Sequence, residues 1–269
     1  MGMKVIIPLG GKGSRLYPAT KCVSKEFLAL VDRPIIDYAI NEILNSGFDF
    51  KDIIFVAGKN KKFIQNYFKP DKPAIVNQPK PIGNGDALRR TAGLVGKNPI
   101  AVVFSDEVLA GEQPVLITMK KWFEKLQAPI IALNKIPKQK VGNYGVVEWE
   151  KTPFHPKLCR IKNIIEKPLP EKAPSNLTAL GRYIITPAIF NELKKLKARP
   201  NKEMTLTDAF LIYLKKGGRL YGYEYEGERY DCGSKIGLLK AQVGFGLKRP
   251  EFKKEFKNYL NKKVKAELR

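Results

Sequence analysis

After Lys4 the chain opens on an apolar run, Val5-Ile6-Ile7-Pro8-Leu9, that stops at Gly10-Gly11. A short run without polar alternation, bounded by glycines, predicts a buried strand emptying into a loop. Ile53–Ala57 and Ile100–Phe104 repeat the pattern, and Ala74–Val76 and Pro129–Leu133 are shorter candidates. Between these runs the period changes. Ile36, Ala39, Ile40, Ile43 and Leu44 recur at helical spacing until Gly47, and further helices are predicted from Asn60 to Phe68, Asp86 to Val95 and Gln113 to Leu126. Strands alternating with helices predict an α/β fold: a doubly wound, mostly parallel sheet with helices on both faces. In such sheets ligands collect beyond the carboxyl ends of the strands, where both Gly10–Arg15 and Asp106 fall.

From Asn143 onward the pattern is richer in strands, at Gly145–Trp149, Arg160–Glu166 and Ala179–Ile185. Helices follow at Pro187–Leu196 and Leu206–Lys215, then a strand at Leu220–Tyr225 and a helix at Ser234–Gly246. Phe252, Phe256, Leu260 and Val264, spaced by four in a lysine-rich tail, predict an amphipathic helix docked on the body. No linker or repeat divides the chain. The expectation is one domain over residues 1–247, with halves at about 1–135 and 136–247, and a basic terminal helix over 248–269.

With 43% apolar and 28% charged residues, the 269-residue chain has the make-up of a globular protein that buries a core. Its 49 Lys and Arg against 26 Asp and Glu, a net +23, attract polyanions, nucleotides or acidic surfaces. A basic nucleic-acid-binding protein is therefore the alternative from another class. The tail comes nearest to it, and its spacing is better explained by a docked helix. His155, the single histidine, excludes a multi-histidine metal site and leaves a Ser/Cys–His relay one place to run. Cys22, Cys159 and Cys232 form no C-x-x-C pair, so a reducing cytoplasm is expected. No run approaches the roughly 18 apolar residues of a membrane span. The opening run is too short for a signal-peptide core, and Ile6 stands where myristoylation needs Ser or Thr.

The loop Gly10-Gly11-Lys12-Gly13-Ser14-Arg15 lets backbone N–H groups approach an anion. It is neither a dinucleotide fingerprint, since Leu16 occupies the last glycine position, nor a Walker A motif. Alone it reads equally well as a tight turn. Lys12, Arg15, Lys21 and Lys25, close together in sequence, suggest a polyphosphate cradle, although a chain with 49 basic residues also forms such clusters by chance. Asp106 and Asp231, each taken alone, read as a cap and a turn residue.

Taken together the motifs resemble the sugar-phosphate nucleotidyltransferases, nearest the uridylyl-transferring branch that acts on glucose 1-phosphate. The resemblance runs from about Lys4 to Leu247. It is carried by Gly11-x-Gly13-Ser14-Arg15-x-x-Pro18-Ala19-Thr20-Lys21 with Lys25-Glu26, and by Val31-Asp32-x-Pro34-Ile35-Ile36. Gln78 with Gly83-x-Gly85, Asp106, Tyr144-Gly145-Val146-Val147 and Glu166-Lys167-Pro168 follow in order. Ala173-Pro174-Ser175-Asn176, Gly181-Arg182-Tyr183, Leu206-Thr207-Asp208-Ala209 and Asp231-Cys232-Gly233 complete it.

The resemblance implies a Rossmann-like nucleotidyltransferase fold with a strand-rich sugar-binding extension. It implies that Leu9, Gly10, Gly11, Gly13 and Ser105 hold the nucleotide, with Arg15 on the triphosphate and Lys25 polarising the phosphoryl group. Gln78 and Gly83 would read the base, Asp106 and Asp231 would bind Mg²⁺, Gly145 and Glu166 would hold the sugar, and Lys167 would meet its phosphate. The implied partners are UTP and glucose 1-phosphate, with dTTP and then CTP as the other nucleotides weighed and a homo-oligomer left open. The Asp231-Cys232-Gly233 triplet favours the uridylyl branch over the thymidylyl one.

Departures bear on nucleotide choice. Ile82 and Asp86 stand near the base-reading loop where the family suggests Lys and His, whereas the absence of an insertion between Phe68 and Gln78 bears on oligomeric assembly. Ser24, Phe27 and Ala29 also differ from the usual residues, without touching the chemistry. A Gln78 amide free to turn can serve uracil or cytosine, so discrimination is expected from fixed backbone groups near Gly83.

Overall fold

A computed structural model describes residues 2–58, 61–197, 200 and 203–267. Asn60, where the second helix was expected to start, and the last two residues of the tail lie outside them.

The strands are β1 (Lys4–Pro8), β2 (Ala29–Leu30), β3 (Arg33–Pro34), β4 (Ile53–Ala57), β5 (Ala74–Asn77), β6 (Ile100–Val103) and β7 (Glu107–Ala110), then β8 (Ile130–Lys135), β9 (Gly145–Lys151), β10 (Leu158–Glu166), β11 (Leu177–Ile185), β12 (Leu220–Glu224) and β13 (Glu228–Asp231). The helices are α1 (Ile35–Asn45), α2 (Lys61–Tyr67), α3 (Asn84–Arg89), α4 (Ala92–Val95), α5 (Val115–Leu126), α6 (Pro187–Lys195), α7 (Leu206–Lys215), α8 (Lys235–Gly246) and α9 (Lys253–Glu267).

Nine strands form one sheet in the order β5-β4-β1-β6-β11-β8-β12-β10-β9. Its fully buried runs have apolar side chains on both faces. Val5 and Ile7 belong to the core that takes Ile36, Ile40 and Ile43 of α1 and Leu116, Met119 and Phe123 of α5. Ile6 faces the opposite core, with Leu88 of α3, Ile189 and Leu193 of α6, and Phe210 of α7. Helices thus cover both faces, as the alternation predicts.

The sheet is mixed, with β10 and β11 running against its other strands. β5, β4, β1 and β6 run parallel, as do β8 and β12. β11 inserts antiparallel between β6 and β8, and β10 pairs antiparallel with β12 and β9. Strand direction cannot be read from runs buried on both faces, because they look alike in either sense. The strand-rich segment also continues the main sheet, so both halves share one scaffold.

Three local differences have clear causes. The helix expected over Asp86–Val95 is two short ones, separated by Arg90-Thr91, where the Thr91 hydroxyl donates to Leu88 O at 2.7 Å. The ribbon of β7 and β13, four residues each, was not expected. The tail forms a helix, but among its described residues none is buried. Phe256 packs near Gly246, whereas Tyr259 and Val264 stay exposed, so docking is slight.

Candidate active site

The site begins where β1 ends. Leu9 N–H donates to Val56 O at 2.7 Å, so the chain leaves the sheet at Gly10. A β-carbon at Gly10 would overlap Gln78 Oε1, and one at Gly11 would lie 3.2–3.3 Å from Lys25 Cε and Nζ. Gly13 takes a left-handed φ of 64°, and its carbonyl accepts from the Thr20 hydroxyl at 2.7 Å. These glycines therefore fold the loop back so that Lys25 and Gln78 can lie against it. A three-residue turn, Ser14–Leu16, follows in place of an α-helix, so the charge here comes from side chains.

A cavity of about 560 Å³ opens above this loop. Gly10, Gly11, Lys12, Arg15, Lys25, Gln78, Gly83, Asp106 and Lys167 line it, with Asn84, Phe104, Glu107 and Glu203. A smaller recess of about 130 Å³ is lined by Gly145, Glu166, Tyr144, Tyr183 and Thr207, and shares Asn84, Phe104 and Glu107 with the first. Two adjoining spaces, the larger with Lys12, Arg15, Lys25 and Lys167 on its walls, the smaller with a carboxylate and hydroxyls, suit two different ligands. Leu9 and Ser105 are buried, and neither they, Gly13 nor Lys21 is among the lining residues. The Ser105 hydroxyl is buried without a hydrogen-bond partner among the described residues.

Asp231 reaches the site through the unexpected ribbon. Asp231 pairs with Glu107 in the register of β13 on β7, and Cys232 N–H donates to Asp106 O at 2.8 Å. Both carboxylates close on Gly233, where a β-carbon would lie 2.8 Å from Asp106 Oδ2, 2.9 Å from an Arg15 guanidinium nitrogen and 3.1 Å from Asp231 Oδ1. Arg15 donates to Asp231 Oδ2 at 3.2 Å, and Lys25 Nζ is ion-paired with Asp106.

Burial acts to lower the Lys25 pKa, but Asp106 and Glu26 outweigh it and the pKa is raised. Burial also works against ionised Asp106, and Lys25 reverses the balance, leaving its pKa below the ordinary value. The pair is therefore charged. Two carboxylates from separate segments, with Asp106 on the cavity wall and Asp231 just behind the lining, suit a hard cation such as Mg²⁺, which takes one or two carboxylates and completes its shell with phosphate oxygens and water. Among the described residues no group of three or more His, Cys, Asp or Glu side chains is placed to hold a metal ion, so an all-protein cage of such ligands has no counterpart there.

Glu107 and Arg229, which sequence reasoning missed, adjoin this centre. Arg229 Nε donates to Glu107 at 2.5 Å, and its guanidinium lies 4.0 Å from the Tyr144 ring centroid. The Tyr144 hydroxyl donates to Asp231 Oδ2 at 3.4 Å. Glu107 could have been suspected from its place beside Asp106, whereas nothing near Arg229 in the sequence signals its role. Lys167 has a left-handed φ of 49° and donates its N–H to Tyr144 O at 3.0 Å, a conformation that side chains pay for and that recurs at functional sites. His155 sits away from these groups, between Trp122 and Tyr223.

Arg182 holds the segment that carries Asp106. It is 1% exposed, donates to Phe104 O at 2.9 Å and Glu107 O at 2.8 Å, and pairs with Glu42 at 2.7 Å. Glu42→Ala would leave this guanidinium buried without its counter-charge, an error that costs about 3–5 kcal/mol. Chemical denaturation should show that loss, with Glu42→Gln milder. Equal stability of Glu42→Ala and the parent protein would refute the clamp.

A family model described as "Nucleotidyl transferase" matches residues 4–245. The chain belongs to the nucleotidyl transferase family. This nucleotidyltransferase is 34% identical to a UTP–glucose-1-phosphate uridylyltransferase of Streptococcus pyogenes, over 98% of this chain and 95% of that protein. It is 35% identical to the protein of the same name from Streptococcus pneumoniae, over 96% and 94% of the two chains. Among solved structures it is similar to a UDP-glucose pyrophosphorylase complexed with UDP-glucose, with a TM-score of 0.85 and 34% identity over 93% of this chain and all of that one. A UTP-bound counterpart from Acinetobacter baumannii superposes with a TM-score of 0.86 at 31% identity, covering 97% and 99%. No helix among the described residues is long and apolar enough to cross a membrane.

Proposed function

We propose that this nucleotidyltransferase transfers UMP from UTP to α-D-glucose 1-phosphate, releasing pyrophosphate and forming UDP-glucose. The convergence of Lys25, Arg15 and Asp106 on the larger cavity, with Asp231 paired to Arg15 behind them, carries the reading. The names of the relatives supply the substrate pair.

A phosphate oxygen of the sugar phosphate attacks the α-phosphorus of UTP. The new P–O bond forms as the bond from the α-phosphorus to the bridging oxygen breaks, and pyrophosphate carries that electron pair away. The nucleophile is already anionic, so no general base is required. The difficulty is repulsion: each pair of like unit charges at about 4 Å costs roughly 4 kcal/mol at an effective dielectric of ~20. Catalysis is then positioning and charge neutralisation. Arg15 and Lys12 hold the triphosphate over the glycine loop, Lys25 meets the α-phosphoryl oxygens, and Lys167 meets the sugar phosphate. Glu166, whose Oε2 accepts from the Thr207 hydroxyl at 3.0 Å, and the Gly145 backbone hold sugar hydroxyls in the smaller recess. Asp106 and Asp231 would hold Mg²⁺, which when bound neutralises phosphate charge. The sheet's two halves thereby divide the work between nucleotide and sugar.

Pyrophosphate release, measured with glucose 1-phosphate, Mg²⁺ and each nucleoside triphosphate in turn, tests the reading. UTP should be best, dTTP a measurable second because a methyl is worth only ~1–3 kcal/mol, CTP poor and purine nucleotides negligible. A clear preference for CTP or GTP would overturn the uridylyl assignment and leave the fold standing.

A further inference from the structure

The Gln78 amide is not free to turn. Its Nε2 donates to Gly83 O at 3.0 Å and to Asp86 Oδ2 at 3.1 Å. Both partners accept only, so the amide nitrogen must lie on that side, and both of its N–H bonds are spent there. The Oε1 atom is left against Gly10, on the cavity wall, and no donor among the described residues reaches it. The Gly83 carbonyl is occupied by Gln78, so Oε1 is the fixed acceptor that this amide presents.

Asp86 is itself fixed. It is fully buried, Arg89 donates to its Oδ1 and Arg90 to its Oδ2, each at 2.8 Å, and α3 with its C-terminal cap Arg90 holds the three together. The Gly83 end is equally rigid. Gly85 N–H donates to Met204 O at 2.9 Å, and a β-carbon at Gly83, where φ is 121°, would run into the Met204 backbone.

We propose that Asp86 is a specificity-determining positioning residue: it locks Gln78 so that Oε1 presents the base with an acceptor, which selects a pyrimidine with a protonated N3. Uracil and thymine have an N–H at that position, whereas cytosine has a lone pair there and would meet Oε1 acceptor against acceptor. The inference rests on the uridylyl reading and adds to it the origin of its choice of base.

The test compares kcat/KM for UTP and CTP in the parent protein and in Asp86→Ala, at saturating glucose 1-phosphate. Arg89 and Arg90 are about one-third exposed and can turn to water when the carboxylate is removed. The UTP-over-CTP ratio should fall at least tenfold, with the KM for glucose 1-phosphate within twofold of the parent's. A folded variant with an unchanged ratio would overturn the lock and leave the uridylyl reading intact, since a purely structural ion-pair hub would not move base preference. A parent protein that prefers CTP would mean that Oε1 meets the 4-amino group, and overturns both. If Asp86→Ala does not fold, the parent protein decides alone. N3-methyl-UTP should inhibit at least tenfold more weakly than 5-methyl-UTP, which keeps the N3–H, and equal inhibition would overturn the proposal.

Discussion

Asp106→Asn and Asp231→Asn should each remove nearly all turnover, roughly 10³-fold or about 4 kcal/mol at the barrier, while the protein stays folded. Asparagine keeps the size of each side chain but offers one neutral acceptor, a poor ligand for a hard divalent cation. The fold should tolerate the change because neither carboxylate supports the core. Asp106 faces the cavity, and Asp231 is held at the end of β13 by backbone pairing with Glu107. Excess chelator should silence the parent protein, and added Mg²⁺ should restore it. Pyrophosphate release and thermal unfolding, measured on the same preparations, check both halves. Near-normal activity of both variants, with Mg²⁺ still required, would mean that the cation binds elsewhere.

The same pair of aspartates shows what the sequence makes legible. Asp106 follows an unbroken apolar run, and a polar residue at the end of a buried strand is a visible signal. Its partner is 125 positions away, and the device that brings Asp231 back is a ribbon of two four-residue strands. Glu107–Ala110 and Glu228–Asp231 have no apolar alternation, since one contributes a single buried residue and the other none. Their pairing is a tertiary fact. The glycine loop and the Leu206–Lys215 helix were readable for the opposite reason, because local chemistry dictates them: left-handed backbone at Gly13, and the Thr205–Asp208 capping box that opens the helix. The antiparallel insertion of β11 escaped because the apolar pattern of a doubly buried strand has no direction. The orientation of Gln78 escaped because it depends on Asp86, whose burial beside two arginines only the fold reveals.

Lys25→Ala should lower kcat by about 10²–10³ with little change in the KM for glucose 1-phosphate, whereas Lys167→Ala should chiefly raise that KM. The difference follows from placement. Lys25 comes from the nucleotide half, lies against Gly11 and is paired with Asp106, so it faces the phosphoryl group on which charge changes during transfer. Its raised pKa keeps it protonated throughout the neutral range. A divalent cation held by Asp106 and Asp231 would compete with this ammonium for Asp106 and so would loosen Lys25 towards phosphate. Lys167 follows Glu166 at the rim of the sugar recess and meets a phosphate whose binding precedes reaction. Lys25→Arg should not rescue: its side chain already passes within the reach of a β-carbon at Gly11, and the planar guanidinium is wider than the ammonium it replaces. Steady-state kinetics with each substrate varied in turn separate the two roles. A Lys25 variant defective only in sugar-phosphate binding, with a Lys167 variant defective only in kcat, would mean that the nucleotide and sugar halves of the site had been exchanged.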